Sequence, residues 1–216
     1  MRKKILFLVT LVTCSGSLLF AQFEGAKQTF TSPKLAEEIQ KHKIVAILPF
    51  EASITYKRPP KNYDPAANKN EELNIAKDLQ LSMYTYLLRK ADKYTVTFQD
   101  VDRTNALLKS KGIFDKLDEM TQDSVCKLLG VDAVVKCRYS YEKTASEAGA
   151  IAKTLLFGSL GSKTGSGALT MQIYNGRDGD LLWRFYKAMD DNVMSSTDAL
   201  MERMMKKVSR NFPYEK

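Results

Sequence analysis

The sequence predicts an α/β fold in which helices pack on a mixed sheet of about five strands. Three observations predict it. Residues 44–48 form an unbroken apolar run, which is typical of a strand buried on both faces of a sheet. Helical and strand-like patterns then alternate along the chain, as they do where helices connect the strands of one sheet. A hairpin signal at residues 175–179 follows late in the chain and adds an antiparallel pair.

The first predicted elements are a short helix and the buried strand. Ser32 and Pro33 are residue types preferred at the start of a helix, and a helical pattern follows them over residues 34–41. The apolar strand at residues 44–48 comes next. Residues 51–70 are polar and contain several prolines, so they are predicted to form a long loop that only connects two elements.

The longest predicted helix covers residues 71–90, and a strand at residues 94–98 follows it. Residues that recur every three or four positions predict the face with which this helix packs on the sheet. That stripe consists of Leu73, Ala76, Gln80, Met83 and Leu87, widened by Leu79, Tyr84 and Leu88.

Two shorter helices and a strand are predicted in the middle of the chain. Asp100 is a suitable cap for a helix at residues 101–111. Another helix covers about residues 121–129 and ends at Gly130, a residue type common just after helices. The strand at residues 131–139 then alternates in apolar character.

A hairpin and a last helix end the predicted fold. Residues 168–174 and 180–186 alternate as strands, and Asn-Gly and Asp-Gly pairs join them. Residues 195–198 form a capping box for the last helix. Methionines at helical spacing are more often core residues than a binding groove, so we expect a buried face made by Leu200, Met201, Met204, Met205 and Val208.

Residues 1–21 are predicted to be a cleavable secretory signal peptide. Basic residues precede a short apolar run, and the stretch ends in Ala21, after which cleavage is expected. The alternative is a lipoprotein leader, in which Cys14 would carry the lipid. The apolar run is too short to span a membrane. Either leader predicts an exported protein.

Behind the leader, we expect a lead-in with a short helix at residues 22–43 and a single domain at residues 44–216, with an apolar insertion at about 148–167. The chain has 216 residues and a formal net charge of +8, which falls to +5 without the three basic residues of the leader. A modest positive charge with no stripe of basic and aromatic residues predicts no nucleic-acid binding.

The chain offers few residues for metal or nucleophilic chemistry. His42 is the only histidine, which argues against histidine-based metal sites and Ser-His-Asp triads. Its lysine neighbours predict that it is exposed. Cys126 and Cys137 fall at apolar positions and are predicted to be core residues, with a disulfide as the alternative. No cofactor or metal is therefore expected.

Two further patterns predict no catalysis. Residues 158–164 resemble a phosphate-binding loop but lack the glycine directly before Lys163, so no nucleotide binding is expected. An enzyme that acts on an envelope glycan stays as a weaker hypothesis, because a carboxylate pair can be distant in sequence. The clustered carboxylates are instead predicted to stabilise helix starts, and they are Asp115, Asp118, Glu119, Asp123, Asp190 and Asp191.

The best candidate contact segment is the apolar, small-residue-rich stretch at residues 148–161. A helical conformation would place Ile151 and Leu155 on one face. With Leu156 and Phe157, they would anchor the chain to a protein partner or to a membrane surface. About 14 residues are too few to span a membrane. The alternative is an arm that folds onto its own domain.

Several segments together resemble the curli-secretion lipoprotein (CsgG-like) superfamily. This superfamily shares its α/β fold with the amino-terminal domain of the Tol-Pal propeller protein, TolB. The leader's end, Phe20-Ala21-Gln22, is similar to those of exported Bacteroidetes proteins. The segments that carry the resemblance are IVAILPF at 44–50, the helix to Lys90, YTV at 94–96, residues 100–108, KLLGVDAVV at 127–135 and DGDLLW at 178–183.

The resemblance implies a non-enzymatic, periplasmic or outer-membrane-associated protein that binds a protein or membrane partner and serves outer-membrane or envelope assembly. It also implies an alternative, a subunit of an oligomeric outer-membrane export assembly, and hence a homo-oligomer. The chain departs from the superfamily in two respects. It lacks a good lipid-attachment cysteine, and its single apolar insertion is too short to supply the two membrane-crossing hairpins of a pore subunit.

Overall fold

The computed structural model describes residues 27–143, 165–191 and 197–216. The described strands are β1 Lys27–Thr31, β2 Ile44–Ile47, β3 Glu51–Tyr56, β4 Thr97–Phe98, β5 Ala133–Lys143, β6 Gly165–Asn175 and β7 Leu181–Asp191. The described α-helices are α1 Leu35–Glu38, α2 Pro65–Leu88, α3 Val101–Ser110, α4 Gln122–Leu129 and α5 Thr197–Val208. Short 3₁₀ segments lie at Ile39–Lys41, Ala91–Lys93, Phe114–Glu119 and Ser209–Asn211.

The strands form one open mixed sheet in the order β1-β7-β6-β5-β2-β4, with β3 also paired to β5. The pairs β1–β7, β7–β6 and β6–β5 are antiparallel, whereas β5 pairs in parallel with β2 and β3, and β2 pairs in parallel with β4. The predicted class, an α/β fold with helices packed on a mixed sheet, is confirmed.

Strands β2 and β3 lie end to end along the same side of β5. Val45 pairs with Ala133, and further along Glu51 pairs with Arg138. Three residues, 48–50, therefore lie opposite only two residues of β5, which is a bulge. Pro49 occupies the bulge, where its missing N–H costs no ladder hydrogen bond.

Helices cover the two faces of the sheet unequally. On one face, α2 and α5 pack over a large core that includes Met83, Leu87 and Trp183. On the opposite face, α3 and α4 cover a smaller core, which contains Leu48 and Val134. Beyond this smaller core, every second side chain of β5 and β6 points to the second face. These side chains are at least partly exposed, whereas most of those between them are buried. The second face is thus covered mainly at the β2 end.

Several predicted boundaries were wrong. The expected lead-in at residues 27–31 is strand β1, and the expected loop at 51–70 contains β3 and the first turn of α2. The strand expected at 94–98 is reduced to Thr97–Phe98. Strand β7 runs on to Asp191, so Asp190 and Asp191 belong to a strand rather than to the approach of a helix.

The predicted core residues are largely in place. Cys126 and Cys137 are free and buried, and they belong to the cores on opposite faces of the sheet, which confirms the interpretation as small core residues. Burial raises the pKa of the Cys126 thiol to about 12, so it stays protonated at neutral pH. Met201, Met204 and Met205 are buried on α5, as the helical spacing predicts.

Candidate partner-binding surface

The longest described helix, α2, carries the main candidate surface. Asp64 caps it by accepting a hydrogen bond from the backbone N–H of Ala66 at 2.8 Å, and Pro65 occupies the first position. Its 24 residues give a rod of about 36 Å. One face packs on the sheet through buried residues such as Leu79, Met83 and Leu87.

Three leucines on one side of α2 point to solvent. Leu73, Leu81 and Leu88 are 56%, 51% and 50% exposed. Their spacing of eight and seven residues keeps them within an arc of about 80°, over a length of about 22 Å. We call these three residues the leucine face. The sequence pattern had placed Leu73 and Leu88 in the packing stripe, and this was wrong because both side chains point to solvent.

A groove between α2 and α5 adjoins the leucine face. It encloses a cavity of about 410 Å³ and is lined by Asp78, Leu81, Ser82, Thr85, Tyr86, Arg89, Asp198 and Glu202. Because Leu81 belongs to both features, the groove and the leucine face are continuous. The Ser82 hydroxyl donates a hydrogen bond to Asp198 at 2.5 Å, which ties the two helices together.

The groove is locally acidic in a basic protein. Its lining has three carboxylates, on Asp78, Asp198 and Glu202, and one cation, on Arg89. The ammonium of Lys206, hydrogen-bonded to Glu202, lowers the pKa of the Glu202 carboxyl, and Arg89 acts in the same direction. Glu202 is therefore charged at neutral pH. A positively charged group would find a favourable potential here.

The flanks of the predicted contact segment lie near the start of α2. Lys143 ends β5 and pairs with Gly165, which begins β6. The Lys143 ammonium contacts the Glu71 carboxylate of α2 at 2.8 Å and lies 5.3 Å from the centre of the Tyr56 ring. Glu71 is two residues from Leu73. The predicted segment at 148–161, with Ile151, Leu155, Leu156 and Phe157, lies outside the described residues.

A second cavity, of about 270 Å³, opens beside the only histidine. The side chain of His42 is 6% exposed, so the prediction of an exposed residue was wrong. Its Nδ1 lies 2.8 Å from the Tyr214 hydroxyl and its Nε2 lies 3.2 Å from Asn175 Oδ1. Asn175 in turn donates to the buried carboxylate of Glu38 at 3.2 Å.

The histidine network is fully occupied by structural bonds. Glu38 also accepts bonds from Arg177 at 2.8 Å and from Lys41 at 3.1 Å. The Lys41 bond is the largest cause of the lowered pKa of Glu38. Burial raises the pKa of Tyr214 far above that of a free phenol, so its hydroxyl is not an available base. The network joins distant chain segments and presents no activated nucleophile.

Among the predicted acidic residues, Asp118 has an ion-pair partner. Asp118 contacts Lys136 at 2.5 Å and so forms an ion pair on the sheet instead of capping a helix. The hydrogen bond from Lys136 lowers the pKa of Asp118. Within the described ranges, no three histidine, cysteine or carboxylate side chains cluster in a way that could hold a metal ion. No described helix is both long and apolar enough to cross a membrane.

Comparisons with known proteins give only distant similarities in fold. No family model matches the chain, and no curated protein matches it. Lipoprotein GNA1162 from Neisseria meningitidis is 11% identical with a TM-score of 0.46, and the match covers 78% of this chain and 96% of that one. The PelC dodecamer from Paraburkholderia phytofirmans gives 10% identity, a TM-score of 0.40, and 89% and 100% coverage. The LpoB C-terminal domain from Salmonella enterica is 11% identical with a TM-score of 0.36, and the match covers 73% of this chain and 93% of that one.

Proposed function

We propose that this chain is a non-enzymatic cell-envelope protein that binds a protein partner through the leucine face of α2. The observation that carries the proposal is the line of three half-exposed leucines on α2. Their helical spacing suits an apolar helix of the partner, laid along α2 and the adjoining groove.

Charge favours a protein over a membrane as the partner. The carboxylates of Asp78, Asp198 and Glu202 lie beside Leu81 in the groove. Glu202 is paired with Arg89 and Lys206. Asp78 and Asp198 repel the anionic headgroups of a lipid surface, whereas basic side chains that flank an apolar helix would complement them. The expected partner therefore presents apolar residues at helical spacing next to lysine or arginine.

The envelope location rests on the predicted signal peptide at residues 1–21, which lies outside the described residues. In this proposal the exported protein works in the periplasm or at the outer membrane. The predicted segment at 148–161 supplies a second contact. One of its flanking residues, Lys143, contacts Glu71 of α2.

The test replaces Leu73, Leu81 and Leu88 together by glutamine. Since these leucines are exposed and glutamine forms helices nearly as well as leucine, the free energy of unfolding should change by less than about 0.5 kcal/mol per site. Intact cells are treated with an amine-reactive cross-linker. The unchanged protein should give a discrete complex with another protein, and the triple variant should give at least about tenfold less of it.

The matched control places three glutamines on exposed positions of α3, at Asp102, Arg103 and Ala106. This variant should keep the full yield of the complex. If the leucine variant also kept it, the leucine face would not be the contact. Flotation of the purified protein with anionic lipid vesicles, lost in the leucine variant, would overturn the protein partner in favour of a membrane.

A further inference from the structure

Strand β1 leaves one side of its backbone open. The backbone N–H of Ser32 donates to Leu182 O at 2.8 Å just beyond the β1–β7 ladder, in which Phe30 pairs with Arg184. Bonded pairs alternate along antiparallel strands. Gln28 and Phe30 therefore bond to β7, and the N–H and C=O groups of Lys27, Thr29 and Thr31 point away from the sheet.

Part of the open side of β3 is occupied by side chains of α2. On β3, the outward N–H of Ile54 donates to Glu72 at 2.9 Å, and its C=O accepts from Asn68 at 3.2 Å. Side chains of α2 thus cover this part of the β3 edge. No backbone bond among the described residues covers the outer side of β1.

We propose that β1 pairs with β1 of a second copy of this chain, antiparallel and centred on Thr29. A twofold axis at Thr29 places Lys27 opposite Thr31 of the other copy and Thr29 opposite itself. All three outward-pointing residues then form bonded pairs, each of which exchanges two hydrogen bonds. A centre one residue to either side leaves one of the three residues without a bonded partner.

The side chains of β1 suit this register. All five residues are exposed on both faces of the strand, and Phe30 is 48% exposed. In the dimer, Phe30 lies directly opposite Gln28 of the second copy and covers its aliphatic part. Thr29 meets Thr29, which is a favourable cross-strand pair. The two Lys27 side chains are about 14 Å apart along the strands, so no like charges meet.

The interface is small, and the dimer is accordingly concentration-dependent. Its register is what distinguishes it from other contacts. Opposite residues of a bonded antiparallel pair have Cα atoms about 5.5 Å apart, which is within the range of a disulfide. Two cysteines at position 29, one from each copy, can therefore form a disulfide across the twofold axis. Two cysteines at position 27 cannot, because they lie too far apart in this register.

The experiment uses Thr29→Cys and Lys27→Cys in the protein recovered from the exporting cell. Cys126 and Cys137 are buried and do not react in the folded chain. Under mild oxidation, Thr29→Cys should form a covalent dimer at least about tenfold faster than Lys27→Cys. Equal rates would overturn the register, and an adduct of Thr29→Cys with a different protein would assign the edge to another partner.

A second variant separates the dimer from the fold. The N–H of Thr29 points away from β7, so Thr29→Pro keeps the bonds of the β1–β7 ladder. Because both copies carry the change, it removes both hydrogen bonds of the Thr29 pair across the twofold axis. Sedimentation should show a dimer for the unchanged protein and for Thr29→Val at high concentration, and only monomer for Thr29→Pro. Dimers of Thr29→Pro with the same dissociation constant would overturn the proposal.

Discussion

Single residues in the histidine network fix one proton arrangement. The amide nitrogen of Asn175 donates to Glu38, so its oxygen must face His42. That oxygen can only accept, so His42 Nε2 carries a proton. In the neutral ring, Nδ1 then accepts the proton of the Tyr214 hydroxyl. The network fastens the carboxyl terminus to the end of β6 and to His42, two positions before β2.

Loss of the Tyr214 hydroxyl should leave His42 Nδ1 buried without a donor. We expect Tyr214→Phe to lower the free energy of unfolding by about 1–3 kcal/mol, measured by urea denaturation at pH 7. Tyr63→Phe is the matched control, because Tyr63 is 41% exposed, and it should change stability by less than about 0.5 kcal/mol. Equal effects of the two changes would contradict the network's role.

The Glu38 carboxyl should contribute to the pH dependence of stability. Its pKa is lowered from the usual value of 4.5, first by the hydrogen bond from Lys41 and also by Arg177. A carboxyl with a lowered pKa stabilises the folded state above its unfolded pKa, and this contribution is lost as the pH falls through the folded pKa. Stability should therefore decline below about pH 4.5.

The Glu38→Gln variant tests that assignment. Urea denaturation between pH 3 and pH 7 should give a variant that is less stable at pH 7 and whose stability falls less steeply below pH 4.5. If the variant and the unchanged protein lost stability in parallel over this range, other carboxyls, such as Asp118 with its lowered pKa, would account for the acid limb.

The burial of His42 was beyond the reach of local sequence patterns. The residue follows Lys41 and precedes Lys43, which favours a solvent-exposed position. Its partners, Asn175 and Tyr214, come from far along the chain. The pairing of β2, β5 and β6 brings Asn175 to His42, and the docking of the carboxyl-terminal segment beside Tyr94 brings Tyr214. The sequence patterns also did not predict that the three leucines of the leucine face are exposed.

Among the elements, α2 carries leucines that differ in role. Leu87 is fully buried and its neighbour Leu88 is 50% exposed. Truncation of Leu87 removes packed methyl groups and leaves a cavity, whereas truncation of Leu88 removes none of the core. We expect Leu87→Ala to cost about 2–5 kcal/mol and Leu88→Ala less than about 1 kcal/mol, measured by urea denaturation.

This pair of variants has a clear contrary outcome. The two leucines are chemically identical, adjacent, and on the same helix, so each controls for helix propensity in the other. If Leu88→Ala cost as much as Leu87→Ala in the isolated protein, the leucine face would be covered by the protein's own chain. It would then be unavailable to a partner.

The elements differ in how well the sequence predicts them. The long helix, β2, β5 and the β6–β7 hairpin have strong local signals, namely a helical stripe, an apolar run and an Asn-Gly turn. Strand β1 is exposed on both faces and therefore has no alternation of apolar and polar residues. Strand β3 follows the bulge at Pro49, and its pairing with β5 is not visible in its own composition.

For the whole molecule, the unequal packing of helices on the two faces of the sheet determines where the candidate contact surfaces lie. Helices α2 and α5 protect one face and place the leucine face and the acidic groove on its outer side. At the opposite end of the sheet from β4, strand β1 ends the ladder. The proposed contacts with a partner and with a second copy therefore use separate parts of the molecule, and both can form at once.

The fold class was predictable because it depends on the order of helices and strands, which local patterns report. The candidate surface was only partly predictable. A stripe of leucines shows that a face of α2 is apolar, but the choice between core and solvent depends on how α2 lies on the sheet. The predicted segment at 148–161 stays a prediction, since it lies outside the described residues.

The most direct test of the proposed partner binding places a photoreactive amino acid at position 81 in living cells, with a second strain that carries it at position 106 on α3. We expect irradiation to yield one discrete adduct with another envelope protein from position 81 and none from position 106. No adduct from position 81, or the same adducts from both positions, would contradict the assignment of the leucine face as the contact surface.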